Sequence, residues 1–333
     1  MEKEISIQEE KTNQISLKKE EEDEEVEKIK KDDGLTRNNI KDESHPIDEK
    51  AELIEFISER ICRIEHLENC KNLKRLFLRK NLIKKIENLD ELVQLEELEL
   101  YDNQIIVLEN LDKLTNLKIL DISYNLVKKV EGLDNLKNLE IIYLVENRIK
   151  KIENVDKLQN LYELDFGSNK ISKIENLEPI KNKLTRLSLA KNKIREIENL
   201  TSLTNLTFLT LQSNRLTKIE GLNTLINLKE LYLSQNFIEK IEGLEELKNL
   251  VILDLAYNKI PVLQNLDNKP VLEDLWLNNN LIKNFSDLDE LKKVPTLTCI
   301  YLAKNSVADF PSYKETVIKH CPLIVQIDAN FIK

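Results

Sequence analysis

The feature that most constrains this chain is an asparagine that returns about every 22 residues behind the same apolar pattern. The pattern L-x-x-L-x-L-x-x-N first appears as Leu73, Leu76, Leu78 and Asn81. A short unit of this kind cannot bury its apolar face by itself, so its copies must stack into a solenoid. The eleven copies end at Asn81, Asn103, Asn125, Asn147, Asn169, Asn192, Asn214, Asn236, Asn258, Asn280 and Asn305.

Each part of the unit predicts a local structure. The L-x-L centre alternates with period two, which indicates a short strand with both leucines directed inward. The asparagine carries a carbonyl and an amide group, so it can satisfy backbone groups that face the core in the following turn. We therefore expect the asparagines to form a ladder along the solenoid. The loss of one should cost about 1–3 kcal/mol, because buried backbone groups lose their partners.

A second apolar segment closes each unit, as in LIKKIENL at residues 82–89. Asparagine or glycine precedes its last leucine, and both tolerate positive φ, so a left-handed turn is expected there. A unit of this length is too short for a long helix, which favours 3-10 or short helical turns on the convex side. The whole pattern is typical of an α/β leucine-rich-repeat solenoid with a curved parallel β-sheet on its concave face. The expected turn positions are Asn88, Asn110, Gly132, Asn154, Asn176, Asn199, Gly221, Gly243 and Asn265.

The ends of the chain depart from the repeat. Residues 1–46 contain no repeat and include the run EEEDEEVEK, which favours a disordered acidic N-terminal arm. Residues 47–72 predict an N-terminal cap with a degenerate repeat, and residues 73–310 hold the eleven repeats. Residues 311–333 predict a C-terminal cap that begins with a helix-like run from Tyr313 to His320. Caps are expected because a bare terminal repeat would expose its core and an unpaired strand edge.

Composition and motifs exclude several functional classes. The net charge is −10, most of it from the first 50 residues, and nucleic-acid binders carry a basic footprint instead. No apolar stretch is long enough to span a membrane. The cysteines lack the paired spacing of a zinc site or a disulfide framework, so no metal or cofactor is expected. Three scattered histidines and the absence of nucleotide or hydrolase motifs predict that the chain is not an enzyme.

The middle residue of each L-x-L should project from the concave face, because side chains alternate along a strand. Aromatic and acidic residues dominate this series, and it contains neither lysine nor arginine, although these make up 50 of the 333 residues. Strands favour aromatic residues in general, which is one reading of the series. We prefer a second reading, a surface that binds a folded protein with a basic, partly apolar surface, because exposed aromatics dominate binding hot spots. The series is Phe77, Glu99, Asp121, Tyr143, Asp165, Ser188, Thr210, Tyr232, Asp254, Trp276 and Tyr301.

Six stretches go beyond a generic repeat: LRKNLIKKIENL (78–89), LELYDNQI (98–105), LQSNRLTKIEGL (211–222), LKELYLSQN (228–236), SDLDELK (286–292) and VQIDANFIK (325–333). With them, residues 51–333 resemble the leucine-rich-repeat regulatory subunits of type-1 protein phosphatase, specifically the regulatory subunit 7 family. The resemblance implies a non-catalytic protein of nucleus and cytoplasm whose concave face holds the phosphatase catalytic subunit. It also implies further phosphatase regulators as partners and a monomer before complex formation.

The family's contact residues, transferred by register, lie on acidic and aromatic concave positions. Ser188 departs from the family, which has an aromatic residue there, and Tyr143 stands where a phenylalanine is familiar. The chain has no [RK]-V-x-F segment, so the resemblance implies binding by the rigid repeat surface. With Tyr232 added from the concave series, the predicted partner-binding residues are Asp121, Tyr143, Asp165, Ser188, Tyr232, Asp254, Asp274, Trp276 and Tyr301.

A different class of adaptor remains open. Cytoskeletal, ciliary and spliceosomal leucine-rich-repeat proteins share the 22-residue unit and a similar cap, although they are not expected to match the six stretches. The sequence also leaves open whether binding inhibits, activates or matures the phosphatase, and which substrates are affected.

Overall fold

A computed structural model describes residues 47–332 as a solenoid built on one 14-stranded sheet. The strands follow one another in chain order, and all neighbours pair in parallel except the last two. The predicted parallel leucine-rich-repeat solenoid is therefore confirmed. The predicted acidic arm, residues 1–46, lies outside the described residues.

Twelve strands of three residues and two of two residues make up the sheet. Each of the first twelve strands comes from one coil of the solenoid, and the last two strands form a hairpin. In chain order they are β1 (Leu53–Glu55), β2 (Arg75–Phe77), β3 (Glu97–Glu99), β4 (Ile119–Asp121), β5 (Ile141–Tyr143), β6 (Glu163–Asp165), β7 (Arg186–Ser188), β8 (Phe208–Thr210), β9 (Glu230–Tyr232), β10 (Ile252–Asp254), β11 (Asp274–Trp276), β12 (Cys299–Tyr301), β13 (Gln326–Ile327) and β14 (Asn330–Phe331).

The centre of each three-residue strand lies in the core, and neighbouring centres align. Ile54 pairs with Leu76 across β1 and β2, and Leu76 pairs with Leu98 across β2 and β3. The two residues that flank each centre lie on the opposite face of the sheet, because the side-chain period of a strand is two. Leucines and isoleucines from the rest of each coil complete one continuous aliphatic core.

The asparagine that ends each repeat joins its coil to the preceding one. The Oδ1 atom of Asn169 accepts a hydrogen bond from the Ile149 N–H at 2.9 Å, and its Nδ2 atom donates to the Leu144 carbonyl at 2.8 Å. The same amide also donates within its own turn, to the Phe166 and Gly167 carbonyls. All eleven asparagines bond to the preceding coil in this way, from Asn81 to Asn305.

The expected left-handed turns are confirmed at all nine asparagine and glycine positions. The asparagines there also donate to the preceding coil, as when Asn110 Nδ2 bonds the Ile86 carbonyl at 2.7 Å. At the glycine positions the same carbonyl leaves no room for a side chain, since a Cβ on Gly243 would lie 2.5 Å from the Ile219 carbonyl oxygen. A second left-handed residue, which was not predicted, precedes each ladder asparagine; Lys80 and Tyr124 are examples.

The convex side consists mainly of turns, with three 3-10 segments at Glu178–Ile180, Phe285–Lys293 and Ser306–Asp309. One α-helix, α1 (Tyr313–His320), follows the last repeat and coincides with the predicted helical run. Within the described chain, no helix combines the length and apolar character that a membrane span needs.

The hairpin of β13 and β14 ends the sheet, and Asp328 at its turn replaces a backbone carbonyl that the following strand supplies elsewhere in the solenoid. Elsewhere the strand that follows supplies a backbone carbonyl, as when the Leu277 N–H donates to the Tyr301 carbonyl. After β12, the N–H groups of Leu302 and Ala303 instead donate to Asp328 Oδ1, each at 2.7 Å. The second carboxylate oxygen of Asp328 accepts from the Tyr313 hydroxyl of α1 at 3.2 Å.

Candidate protein-binding face

The solvent face of the sheet, here called the concave face, carries two rows of side chains. The second row is the predicted series, from Phe77 to Tyr301, one residue after each strand centre. The first row precedes each centre, and of its members the sequence reasoning had named only Asp274. Any three-residue strand with a buried centre places both flanking residues on one face, so this row could have been found from the same pattern. The first row is Arg75, Glu97, Ile119, Ile141, Glu163, Arg186, Phe208, Glu230, Ile252, Asp274 and Cys299.

Four aromatic rings form a connected series on the C-terminal half of this face. Phe208 and Tyr232 have ring centroids 5.6 Å apart, and Tyr232 and Trp276 are 6.2 Å apart. Trp276 and Tyr301 meet edge to face, also with a centroid distance of 6.2 Å. We call Phe208, Tyr232, Trp276 and Tyr301 the aromatic series. Edge-to-face and tilted pairs of this kind contribute about 0.5–1.5 kcal/mol beyond area burial, so the rings hold one another in place.

Tyr232 and Trp276 make contact across an intervening strand. They lie on β9 and β11, and two strand spacings amount to roughly 9.6 Å, well above the centroid distance. The rings therefore lean toward each other over β10, where the second-row residue is Asp254. Asp254 is only 5% exposed, which places it beneath the rings rather than on the surface. Of the predicted contact residues, it is the one that the structure does not present to a partner.

The second-row aspartates are partly engaged by their own coils. Asp254 Oδ1 accepts from the Ala256 N–H at 2.9 Å, and Asp121 and Asp165 accept from the N–H two residues later at 2.8 and 2.7 Å. Burial raises the pKa of all three carboxyl groups, and these hydrogen bonds oppose the rise. Asp121 and Asp165 keep part of their surface in solvent, so they remain available as acidic contacts.

First-row residues hold the tyrosine hydroxyls of the second row. The Tyr232 hydroxyl donates to Glu230 at 3.0 Å, and the Tyr143 hydroxyl donates to Glu163 at 3.4 Å. Burial, followed by the adjacent glutamate, raises the pKa of each tyrosine to about 12. These tyrosines therefore stay neutral and present an oriented ring, as binding hot spots require.

Ser188 has no aromatic ring, but a contact between Arg186 and the Phe208 ring lies beside it on β7 and β8. The Arg186 guanidinium lies 4.1 Å from the centre of the Phe208 ring and 3.5 Å from a Glu163 carboxylate oxygen. Stacking and ion pairing both occupy this arginine. The first-row Phe208 therefore supplies an aromatic surface one strand away from the position where Ser188 lacks one.

The N-terminal end of the face has its own aromatic and charged cluster. Arg79 lies 4.8 Å from the centre of the Phe77 ring and forms an ion pair with Glu99. Tyr101 and Tyr124 follow the ends of β3 and β4, and their rings make a tilted contact with centroids 5.0 Å apart. This tyrosine pair lies outside both rows, and the repeat pattern gave no signal for it.

The described residues contain no group of three or more histidine, cysteine, aspartate or glutamate side chains that could hold a metal ion. Burial, with Asp274 beside it, raises the pKa of the half-buried Cys299 thiol to about 11. A thiol in that state is a poor nucleophile at neutral pH. His320, in the C-terminal cap, lies 3.1 Å from Asp289 of the 3-10 segment Phe285–Lys293, and neither residue belongs to the two rows.

These features define a class: a parallel β-solenoid with a long, aromatic and acidic sheet face suited to protein–protein interaction. Two family profiles match the chain. One, described as Leucine Rich repeats (2 copies), matches residues 93–135, 137–179, 182–224 and 204–247. The other, described as Leucine-rich repeat, matches residues 228–333. The chain belongs to the leucine-rich-repeat family, whose members are generally non-catalytic interaction scaffolds.

Solved structures share this fold. An internalin of Listeria monocytogenes superposes with a TM-score of 0.67 and 24% identity, over 85% of this chain and 88% of that one. A leucine-rich-repeat protein of Leptospira interrogans superposes with a TM-score of 0.64 and 27% identity, over 79% of this chain and 74% of that one. A chain of the LRIM1/APL1C complex superposes with a TM-score of 0.63 and 22% identity, over 77% of this chain and 49% of that one. No curated protein sequence matches the chain.

Proposed function

We propose that this protein is a non-catalytic regulatory subunit that binds the catalytic subunit of type-1 serine/threonine protein phosphatase through its concave face. On this proposal it modulates the activity or targeting of the phosphatase in nucleus and cytoplasm. The observation that carries the proposal is the aromatic series, flanked by Glu230 and Asp274 on a rigid sheet. The resemblance of residues 51–333 to the regulatory subunit 7 family supplies the identity of the partner.

The chemistry of the face favours a partner with a basic, partly apolar surface. Trp276 and Tyr301 offer the large, low-entropy contact area that dominates hot spots. Glu230 lies beside Tyr232, and Asp274 lies on the same strand as Trp276. Acids in these positions attract lysine and arginine of a partner and steer its approach. The first-row Arg186 is already engaged by Glu163 and Phe208, so it adds little repulsion. The LRIM1/APL1C structure is itself a complex, which supports the use of such a fold in assembly.

The experiment is a binding measurement between the full chain and a purified type-1 catalytic subunit. We expect Trp276→Ala and Tyr301→Ala each to weaken binding more than tenfold, about 1.4 kcal/mol or more, as hot-spot truncations do. Asp274→Lys should weaken binding more than either alanine substitution. Asp274 is the acid to reverse, rather than the buried Asp254, whose reversal would disturb the fold itself.

Tyr257→Ala is the matched control, because Tyr257 is 53% exposed and lies outside both rows. Unchanged binding in the Trp276 and Tyr301 variants, or an equal loss in the control, would contradict the use of the concave face. Affinity purification from lysate tests the partner itself. Recovery of tubulin, dynein chains or a spliceosomal protein in place of the phosphatase would favour the adaptor class instead. A phosphatase assay with and without the protein then gives the sign of regulation.

A further inference from the structure

Tyr301, the last ring of the aromatic series, differs from the other second-row tyrosines in what holds its hydroxyl. Glutamates within the repeats hold the Tyr143 and Tyr232 hydroxyls. The Tyr301 hydroxyl instead accepts a hydrogen bond from Gln326 Nε2, which belongs to the cap hairpin. The contact follows from register, since β13 pairs in parallel with β12 and places Gln326 opposite Cys299, two residues before Tyr301.

Gln326 is itself fixed by the cap. Its Nε2 atom also donates to the Asp328 carbonyl at 2.9 Å. The Asp328 carboxylate in turn accepts from the N–H groups of Leu302 and Ala303 and from the Tyr313 hydroxyl. A continuous set of hydrogen bonds therefore runs from α1 through the hairpin to the ring at the end of the aromatic series.

We propose that Gln326 is a positioning residue that holds Tyr301 edge-on to Trp276 and thereby raises the affinity of the concave face for its partner. The affinity part rests on the proposed function. A half-buried tyrosine without this contact regains ring motion that binding must then arrest. Immobilising a side chain at an interface costs about 0.5–1.5 kcal/mol, so the loss of Gln326 should weaken binding about two- to tenfold.

Trp276 provides a readout that requires no partner, because it is the only tryptophan of the chain. Gln326→Leu keeps the backbone pairing of β13 and removes the side-chain donor. We expect its Trp276 emission to shift to longer wavelength and its acrylamide quenching to increase, because Tyr301 no longer covers the indole. Gln326→Glu has the same length, and its carboxylate can accept from the Tyr301 hydroxyl, so we expect it to restore most of the wild-type emission.

Val325→Ala is the control, since Val325 lies next to Gln326 in the chain, is 39% exposed and has no side-chain group that could donate to the Tyr301 hydroxyl. It should leave the emission unchanged. Urea unfolding of each variant shows whether the cap remains folded. An unchanged spectrum in a folded Gln326→Leu protein overturns the positioning role, and so does an equal change in Val325→Ala.

A double-mutant cycle tests the link to affinity. Tyr301→Phe removes the hydroxyl through which Gln326 acts. Gln326→Leu should therefore weaken binding two- to tenfold in the wild-type background and should have no additional effect on binding in the Tyr301→Phe background. Additive losses would overturn the proposal. If the wild-type chain does not bind the phosphatase while the Trp276 spectrum responds to Gln326→Leu, the proposed function fails and the positioning of Tyr301 stands.

Discussion

A lysine occupies a core position of the solenoid, and its replacement by leucine is expected to stabilise the protein. Lys269 stands where the two preceding coils have Leu225 and Leu247, and it is 1% exposed. Its ammonium group donates one hydrogen bond, to the Asp267 carbonyl at 3.0 Å. Burial lowers the pKa of Lys269, an effect that the nearby acids Glu245 and Asp267 oppose.

The magnitude follows from comparing the two side chains in the same slot. Lysine and leucine side chains have equal numbers of carbon atoms, so their apolar burial is similar and the difference lies in the ammonium group. Its desolvation costs several kcal/mol, which a single charge-assisted hydrogen bond of about 1.5–3 kcal/mol only partly offsets. Lysine also loses roughly 1 kcal/mol more rotamer entropy than leucine on burial. We therefore expect Lys269→Leu to raise the free energy of unfolding by about 1–3 kcal/mol.

Equilibrium urea unfolding followed by circular dichroism measures the effect. Lys248→Leu is the matched control, because Lys248 follows Leu247 on the exposed side of the preceding coil; it should change stability by no more than about 0.5 kcal/mol. A neutral or destabilising Lys269→Leu would show that the Asp267 contact outweighs desolvation and would refute the reasoning.

The pH dependence supplies a second check with a defined sign. A lowered lysine pKa means that the unfolded chain binds more protons between the folded and unfolded pKa values. The free energy of unfolding of the wild-type protein therefore increases as the pH rises through that window, because the cost of burying the charged Lys269 is relieved. The advantage of Lys269→Leu should therefore narrow as the pH rises toward the pKa of lysine in the unfolded chain. An advantage that widens with rising pH would contradict a desolvated ammonium group.

Three further predictions concern the ladder, the concave face and the cap. Asn169→Ala should lower the free energy of unfolding by about 1–3 kcal/mol, because the buried Ile149 N–H loses its acceptor, whereas the Leu144 carbonyl keeps a hydrogen bond from Asn147; urea unfolding measures the loss. Asp254→Asn should stabilise the protein at pH 7, because burial raises the carboxyl pKa while an amide oxygen can still accept from Ala256. The free energy of unfolding of the wild-type protein falls as the pH rises from the pKa of Asp254 in the unfolded chain to its pKa in the folded chain. The gain from Asp254→Asn should therefore vanish below about pH 4, and unfolding measured at pH 7 and below pH 4 tests this. Asp328→Ala should lower the free energy of unfolding by about 2–4 kcal/mol and speed hydrogen exchange first at Leu302 and Ala303, directly after β12, since their N–H groups lose a charged acceptor.

The architecture was predictable because each repeat specifies itself locally. The alternation in L-x-L specifies a strand, the asparagine specifies the turn that follows it, and the spacing specifies the parallel register. An incorrect assignment in one repeat therefore does not affect the assignment of the others. Asn110 shows the limit of this reasoning. Its left-handed turn followed from residue type, yet its hydrogen bond to Ile86 could not be foreseen, because that bond depends on the distance between coils.

The cap was predictable in outline and not in its chemistry. The helical run from Tyr313 to His320 has a recognisable pattern, and the structure contains that helix. Asp328 carries no such signal, because its side chain replaces a backbone carbonyl and the local sequence pattern does not reveal this. Its role appears only when the N–H groups of Leu302 and Ala303 are traced to their acceptor.

The arrangement of the concave face depends on side-chain size across strands, which a one-dimensional pattern does not contain. Spacing placed Tyr232, Asp254 and Trp276 in one row and suggested three equivalent contacts. In the structure, the small aspartate between two large residues lets the rings meet above it, so the row becomes a connected aromatic surface with a buried acid. A larger side chain at position 254 would hold the rings apart, and the same repeat pattern would then present a different surface. The repeat thus determines which residues face a partner, while the relative sizes of neighbours on adjacent strands determine which of them a partner can reach.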